Sequence, residues 1–490
     1  MNCKIVTNNG YEFHKSLISD NELNIMKNEL IVEPNMLIKK KGMQFKLFKE
    51  DEYRMYLPRF YGVKKYGYDD MIFHDYEKIN LEFTSKLRSY QIDIINKCMN
   101  GILNNGGGLL SLPCGRGKTV ISLFLIHLLK CKTLVICHKS SIFNQWIDRI
   151  NQFLINVCEC KNDIENDIVN ECKCDNSVKI GIIKGPICNI KSKDICIAMI
   201  QSISAKDYGD IYKSFGLVIY DEAHHVSAKY FSRSLMKTNC KYIVGLSATP
   251  TRIDGLTKVI HWFIGDILYK EKQKMNNNVN VKIIDYMPHF DDPDIKYFKN
   301  VKRLINGRTC VDTTSICLNL SKIRSRNLLI STIANDMYKL NNNGSNRNII
   351  ILAKTKQQLI DIYDNIIQLN DPIDDIESET MIRLKNDMMF YTGDTSENNR
   401  RLVELNAKII LATFGLAEEG LDIDRLNTLI LASPKKSIEQ TTGRIIRKEK
   451  YADDDYPLIF DIHDKLDGMK GLINARMKYY DQNDFCISEY

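Results

Sequence analysis

Short apolar runs separated by longer stretches of helical length set the rhythm of this chain from about position 86 onward. The runs at 109–112, 133–137, 195–199, 217–220 and 242–246 are almost wholly apolar. Such runs read as strands buried on both faces. Between them lie segments such as 120–129, apolar and long enough for a helix. Strand alternating with helix predicts a parallel sheet covered by helices. The rhythm returns at 348–353, 409–412, 428–432 and 458–461, which predicts a second unit of the same kind. Residues 1–80 carry little helix signal. There, 45–48 and 53–56 flank the polar turn 49–52, the pattern of a hairpin. The plan is an α/β chain with a small β-containing N-terminal accessory domain at 1–85, a first α/β domain at 86–270, a linker at 271–330 and a second α/β domain at 331–490. The acidic, irregular stretch 370–385 reads as a surface excursion of the second unit.

Composition narrows the class. Hydrophobic residues make up 44% and charged residues 26% of the 490, ordinary for a globular chain with several cores. A net charge of +7 permits a nucleic-acid partner without demanding one, because local clustering decides that. The opening MNCKIVTNNG has no apolar core of signal-peptide length, and runs such as 195–200 and 349–353 are far too short to span a bilayer. The expectation is a soluble intracellular protein with no membrane partner, its 15 cysteines reduced rather than bridged. Cys158-x-Cys160 and Cys172-x-Cys174 could close a tetrahedral zinc site, although one intervening residue is tighter than the usual spacing; a surface insertion in a cysteine-rich chain is the other reading. Leu57-Pro58-Arg59-Phe60-Tyr61-Gly62-Val63-Lys64-Lys65-Tyr66-Gly67-Tyr68 interleaves aromatic and basic residues. It reads either as a nucleic-acid contact or as the solvated face of a β-rich domain.

Three strings carry the chemistry. Leu112-Pro113-Cys114-Gly115-Arg116-Gly117-Lys118-Thr119 follows an apolar run and precedes an apolar helix. Glycines let backbone N–H groups turn toward phosphates, Lys118 reaches the outer phosphates, and the Thr119 hydroxyl suits magnesium. Leu112 stands where the usual pattern has glycine, and Cys114 is a small residue tolerated in the loop. Asp221-Glu222-Ala223-His224 closes another apolar run, so two carboxylates reach the C-terminal edge of a sheet, where open α/β folds bind ligands. Asp221 would hold magnesium and Glu222 would activate water. An exposed acidic turn is the plain alternative. In Gln440-Thr441-Thr442-Gly443-Arg444-Ile445-Ile446-Arg447, residues Gln440, Arg444 and Arg447 fall at i, i+4 and i+7 and would share one face of a helix. They read either as a merely solvated face or, in a chain whose nucleotide site is otherwise incomplete, as a sensor and two arginine fingers supplied by the second domain; such fingers contribute roughly 10³–10⁵ in rate. Together the strings predict an ATP-driven nucleic-acid motor with its catalytic groups divided between two domains.

This set of motifs resembles the superfamily 2 helicases and translocases over roughly residues 86–465. The resemblance implies two RecA-like parallel-sheet domains in tandem, with ATP and magnesium as ligands. It implies that Leu87-Arg88-Ser89-Tyr90-Gln91 reads the adenine through Gln91, with Arg88 beside it. His138, Lys139, Gln145 and Trp146 match the first strand-contacting motif, and Ser247-Ala248-Thr249 the motif linking hydrolysis to domain movement. Lys354 and Thr355 sit at the second domain's phosphate contact. Ala412-Thr413-Phe414-Gly415 and Glu419-Gly420-Leu421-Asp422 match the motif that touches strand and ribose, which assigns Thr413 to nucleic acid and Gly420 and Asp422 to the nucleotide. The loop wording and Arg252-Ile253-Asp254-Gly255 are similar to the xeroderma pigmentosum group B, UvsW and poxvirus transcript-release helicases, with Ile253 replacing that group's Glu. The expected partner is nucleic acid gripped through its backbone, DNA before RNA, because the chain ends soon after Arg447 where many RNA-remodelling helicases continue. An RNA helicase, a catalytically weak binding scaffold and a restriction-type nuclease are the rivals.

Overall fold

The structure, a computed structural model, describes residues 3–35, 44–113, 115–157, 175–225, 232–248, 251–252, 254–271, 279–305, 308–370, 379–421, 423–446 and 455–490. The chain divides into two units, Met1–Glu271 and Lys272–Tyr490. Each is built on a parallel sheet, as the apolar rhythm predicts, and a small N-terminal sheet belongs to the first unit.

In the first unit the strands lie in the spatial order Ile187–Asn189, Ile180–Lys184, Ile195–Met199, Thr133–Cys137, Leu217–Tyr220, Tyr242–Ser247, Gly107–Ser111 and Ile267–Lys270. All neighbours run parallel except the edge hairpin of Ile187–Asn189 with Ile180–Lys184. Because the central strands are buried on both faces, their sequences show no alternation. The parallel direction brings the chain ends after Ser111, Cys137, Tyr220 and Ser247 to one edge, where the candidate residues gather.

The N-terminal sheet orders as Lys49–Glu50, Arg54–Leu57, Gly10–His14, Ile5–Thr7 and Asp70–Met71. The hairpin expected around the turn 49–52 is present with shorter, shifted strands, Lys49–Glu50 against Arg54–Leu57. Two helices also lie in this region, Asp20–Glu29 and Arg59–Tyr66. The first starts on a capping box, Ser19 and Glu22 each bonding the other's backbone, a spacing that the helix-poor reading of 1–80 passed over. Among the described residues this module has no core of its own. Tyr11, Phe13, Met55, Leu57 and Tyr61 pack in one cluster with Val259, Ile260 and Phe263 of the larger sheet's layer.

The aromatic-basic stretch 57–68 is part of that seam. Arg59 is 1% exposed and donates to the carbonyls of Cys240, Lys241 and Asn105, with Phe60 and Phe73 against its guanidinium. Gly106, at φ 81°, leaves room for it, since a Cβ there would lie 1.8 Å from the Arg59 Nη2. Arg59 therefore joins two layers and is not a phosphate contact.

The second unit carries the strands Met388–Tyr391, Ile409–Thr413, Ile349–Ala353, Thr428–Leu431, Leu458–Asp464, Asn280–Tyr286 and Cys486–Glu489, in that spatial order and all parallel. Asn280–Tyr286 lies in the segment expected as linker, yet it pairs between Leu458–Asp464 and Cys486–Glu489. Its sequence NVKIIDY mixes polar and apolar residues and gave no continuous apolar run to notice. Buried ion pairs tie this unit together: Arg326 with Asp464, and Arg476 with Asp461.

Candidate nucleotide site and strand-contact residues

The loop after Gly107–Ser111 turns at Gly115 (φ 81°) and Gly117 (φ 74°), conformations that L side chains adopt only with strain. At Gly117 space adds a second demand, because a Cβ would lie 2.5 Å from Gln91 Nε2. The loop glycine thus touches the residue expected to read the base. Gln91 is 5% exposed, and its Oε1 accepts from the backbone N–H of Arg88 at 3.0 Å. Helix Lys118–Leu129 starts at this turn, so its unpaired N–H groups and positive dipole end face the loop.

Lys118 Nζ lies 3.5 Å from the Leu112 carbonyl and 3.6 Å from Glu222 Oε1. Strand Leu217–Tyr220 delivers the carboxylates, and Asp221 extends its pairing by donating its N–H to the Ile136 carbonyl at 3.0 Å. Asp221 Oδ1 accepts from the Glu222 N–H at 2.9 Å, and Oδ2 accepts from Trp146 Nε1 at 2.8 Å. Burial, and then the like charge of Glu222, push the Asp221 carboxyl above its ordinary range. Glu222 sits at φ 47°, a turn that aims its side chain back toward Lys118 and His224. Two adjacent carboxylates plus the Thr119 hydroxyl make a hard-oxygen donor set of the kind magnesium takes, and a divalent cation would relieve their mutual repulsion.

A chain of contacts leads away from Glu222. His224 Nδ1 is 3.3 Å from Glu222 Oε2 and 3.1 Å from Ser247 Oγ, at the end of Tyr242–Ser247. Burial holds this imidazole below its ordinary pKa. Arg252 donates to the His224 carbonyl and pairs with Asp254 at 2.9 Å, while the Asp254 carbonyl accepts from the N–H of Asn35 at 2.9 Å. The Arg-x-Asp-Gly element is therefore strapped between the DEAH turn and the N-terminal module. Thr249 and Ile253 fall outside the described residues.

Several expected assignments change. Leu112 is fully buried, so only its backbone borders the loop. Arg116 is bound at 2.9 Å to Glu271 and stacks on Tyr90 at 3.9 Å, which turns it toward the sheet edge rather than into the loop. Trp146 is 1% exposed and His138 8%, too enclosed to lie on a strand. Trp146 instead positions Asp221, and Gln201 Nε2 holds the His138 carbonyl at 2.7 Å. Lys139 and Gln145 remain partly exposed. Sequence reasoning missed Glu271 and gave Tyr90 no role of its own; both meet Arg116 through the fold and not through spacing.

In the second unit, Lys354 is exposed, with its N–H donating to Ser433 Oγ. Thr355 caps helix Lys356–Gln368 through its hydroxyl. Thr413 ends the strand Ile409–Thr413 where helix Phe414–Gly420 begins. The expected helix bearing Gln440, Arg444 and Arg447 is shorter than its spacing implies. It spans Glu439–Thr442, and Arg444 lies in the following turn, its N–H bonding three residues back to the Thr441 carbonyl. Arg444 Nη1 donates to the Leu421 carbonyl at 2.7 Å, which joins this motif to the one at 419–422. Cys114, Asp422, Arg447 and the four cysteines considered for zinc lie outside the described residues, and Gly420 ends the helix Phe414–Gly420.

The family model described as "Type III restriction enzyme, res subunit" matches residues 84–252. The "Putative ATP-dependent RNA helicase L396" of Acanthamoeba polyphaga mimivirus is 31% identical over 499 residues, covering 99% of this chain and 86% of that protein. The chain belongs to the superfamily 2 helicases. This helicase is also 27% identical over 186 residues to the DNA 3'-5' translocase XPB2 of Sulfurisphaera tokodaii, covering 38% of this chain and 36% of that one. Its fold resembles a solved fragment assigned to an HsdR subunit of a type I restriction enzyme from Vibrio vulnificus YJ016, with TM-score 0.54, 15% identity, and 83% and 69% of the two chains covered. Family membership carries ATP-dependent helicase-type activity on nucleic acid with it. No helix among the described residues is long and apolar enough to cross a membrane.

Proposed function

We propose that this helicase couples ATP hydrolysis to stepping along nucleic acid, DNA in the first instance, through a nucleotide site centred on Lys118, Asp221 and Glu222. The observation that carries the reading is the approach of Lys118 Nζ to Glu222 Oε1 at 3.6 Å on one sheet edge. A cation for phosphate oxygens and a carboxylate for the attacking water stand side by side there.

Gln91 takes the base, and the loop N–H groups, Lys118 and Thr119 take the phosphates. Magnesium, held through Thr119 and Asp221, would neutralise charge on the phosphate oxygens. Glu222 accepts a proton from water as the water oxygen bonds the γ-phosphorus and the bond to the β,γ-bridging oxygen breaks. On the family pattern Gln440 is the sensor, and Arg444 and Arg447 are the cationic fingers that neutralise developing charge. Lys139, Gln145, Lys354 and Thr413 grip the strand backbone, so binding is sequence-independent and salt-sensitive. The likeness to a named DNA translocase and the loop wording of the xeroderma pigmentosum group B type support DNA. The RNA reading has its own support, since the relative matched along nearly the whole chain is named as an RNA helicase.

ATP hydrolysis measured with no polymer, single-stranded DNA, duplex DNA and RNA tests the substrate. Stimulation by RNA alone rejects the DNA assignment. Lys118→Ala should abolish turnover on every polymer, and a variant hydrolysing ATP at the parent rate would refute the site.

A further inference from the structure

The N-terminal module and the first parallel sheet enclose a cleft of about 550 Å³, lined by none of the nucleotide-site residues. Lys46, Phe48 and Lys49 border it from the N-terminal side, and Ser204, Arg233 and Lys237 from the other. Ser204 belongs to helix Ile200–Ala205, which leaves the strand Ile195–Met199 at the same sheet edge that delivers Asp221.

The cleft is lined by the cations Lys46, Lys49, Arg233 and Lys237. Glu50 is engaged by Lys15 at 2.9 Å and Lys27 at 2.8 Å, while neither Lys46 nor Lys49 has a carboxylate at ion-pair distance among the described residues. Lys237 donates to the carbonyls of Ile203 and Lys206. Burial lowers its pKa and, although Asp207 opposes this, the charges of Lys49 and Arg233 lower it further. Lys46 Nζ stands 5.8 Å from the centroid of the Phe48 ring, so cation and aromatic plane are adjacent. A second, independent observation points to a ligand. Ser204 is 7% exposed, yet its hydroxyl has no hydrogen-bond partner among the described residues. A buried hydroxyl left this way is destabilising until something accepts its proton or donates to its oxygen.

We propose that this cleft is an accessory subsite for a nucleic-acid strand, with Lys46, Lys49, Arg233 and Lys237 against phosphates, the Ser204 hydroxyl donating to a phosphate oxygen, and Phe48 beneath a base. It extends the strand's path onto the N-terminal module, and it rests on the reading of the protein as a nucleic-acid motor. An acidic peptide would satisfy the cations but would leave Phe48 without a planar partner.

The test is fluorescence anisotropy of a labelled single-stranded DNA and an RNA of the same sequence, titrated with the full chain over a range of salt. Lys46→Ala/Lys49→Ala should weaken binding about tenfold or more at low salt. The slope of log affinity against log salt should become shallower by roughly 1.4, two contacts at about 0.7 each. Hydrolysis of ATP without polymer should stay at the parent rate. Lys64→Ala/Lys191→Ala removes the same charge elsewhere and should bind like the parent. Loss with either polymer supports the subsite and shows which sugar it accepts. Parent-like affinity and slope, equal loss in the control pair, or displacement of the oligonucleotide by polyglutamate at equal charge would overturn it. Retained turnover in Lys118→Ala would instead refute the nucleotide site, and the two failures are separable.

Discussion

Replacing Trp146 by Phe separates two roles that one residue could play. Trp146 is 1% exposed, and its indole N–H donates at 2.8 Å to Asp221 Oδ2. Phe keeps most of the buried ring and removes that donor. A hydrogen bond to a charged acceptor is worth roughly 1.5–3 kcal/mol, and each 1.4 kcal/mol is a factor of ten. If Asp221 holds magnesium for hydrolysis, kcat/KM for the magnesium–ATP complex should fall by about ten- to 150-fold, with a higher magnesium concentration needed for half-maximal rate. Lost packing should lower stability by only about 1–2 kcal/mol, leaving the fold intact by circular dichroism. Strand affinity, measured by anisotropy without nucleotide, should not change, because the ring never reaches the surface. Steady-state hydrolysis across a magnesium titration reads the effect. Unchanged magnesium dependence would refute the positioning role, and weakened strand binding with intact basal hydrolysis would return Trp146 to the strand-contacting set.

Glu222→Gln should bind ATP without turning it over, a complex that filter binding can trap; normal turnover would reject Glu222 as the base. Arg326→Met strands the fully buried Asp464 carboxylate, bound through Arg326 Nε at 2.7 Å, and should cost about 3–5 kcal/mol in a denaturant melt. Burial alone would raise the Asp461 pKa, but Arg476, His463 and their hydrogen bonds outweigh it and hold the carboxyl below its ordinary value. A carboxyl lowered in the folded state adds stability above the ordinary range and loses it as pH falls through the folded value. The second unit should therefore melt at lower temperature as pH drops below about 4, and Arg476→Met should flatten that dependence.

The parallel sheets were legible because strands buried on both faces must be continuously apolar, and the runs 133–137, 195–199 and 217–220 have no other use for that pattern. The glycine loop and the DEAH turn were legible as candidates because the chemistry they suit demands particular residue types at fixed short spacing. Local signals failed where packing overrode them. Asn280–Tyr286 joins its sheet although its sequence lacks an apolar run, since pairing with Leu458–Asp464 supplies what periodicity does not. Arg59 and Trp146 carry residue types that suggest nucleic acid, yet both are buried, because their hydrogen-bonding partners, the Cys240 carbonyl and Asp221, lie far away in sequence.

The chain alone thus determines which residues can bind phosphate, hold a metal or neutralise charge, because those capacities belong to side-chain chemistry and short spacing. Only the tertiary structure decides which of them stand together and which are enclosed. The Lys118–Glu222 approach, the Arg116–Glu271 pair and the cationic cleft around Ser204 each arise when strands distant in sequence end at one edge or pack against one module, and no local pattern encodes that.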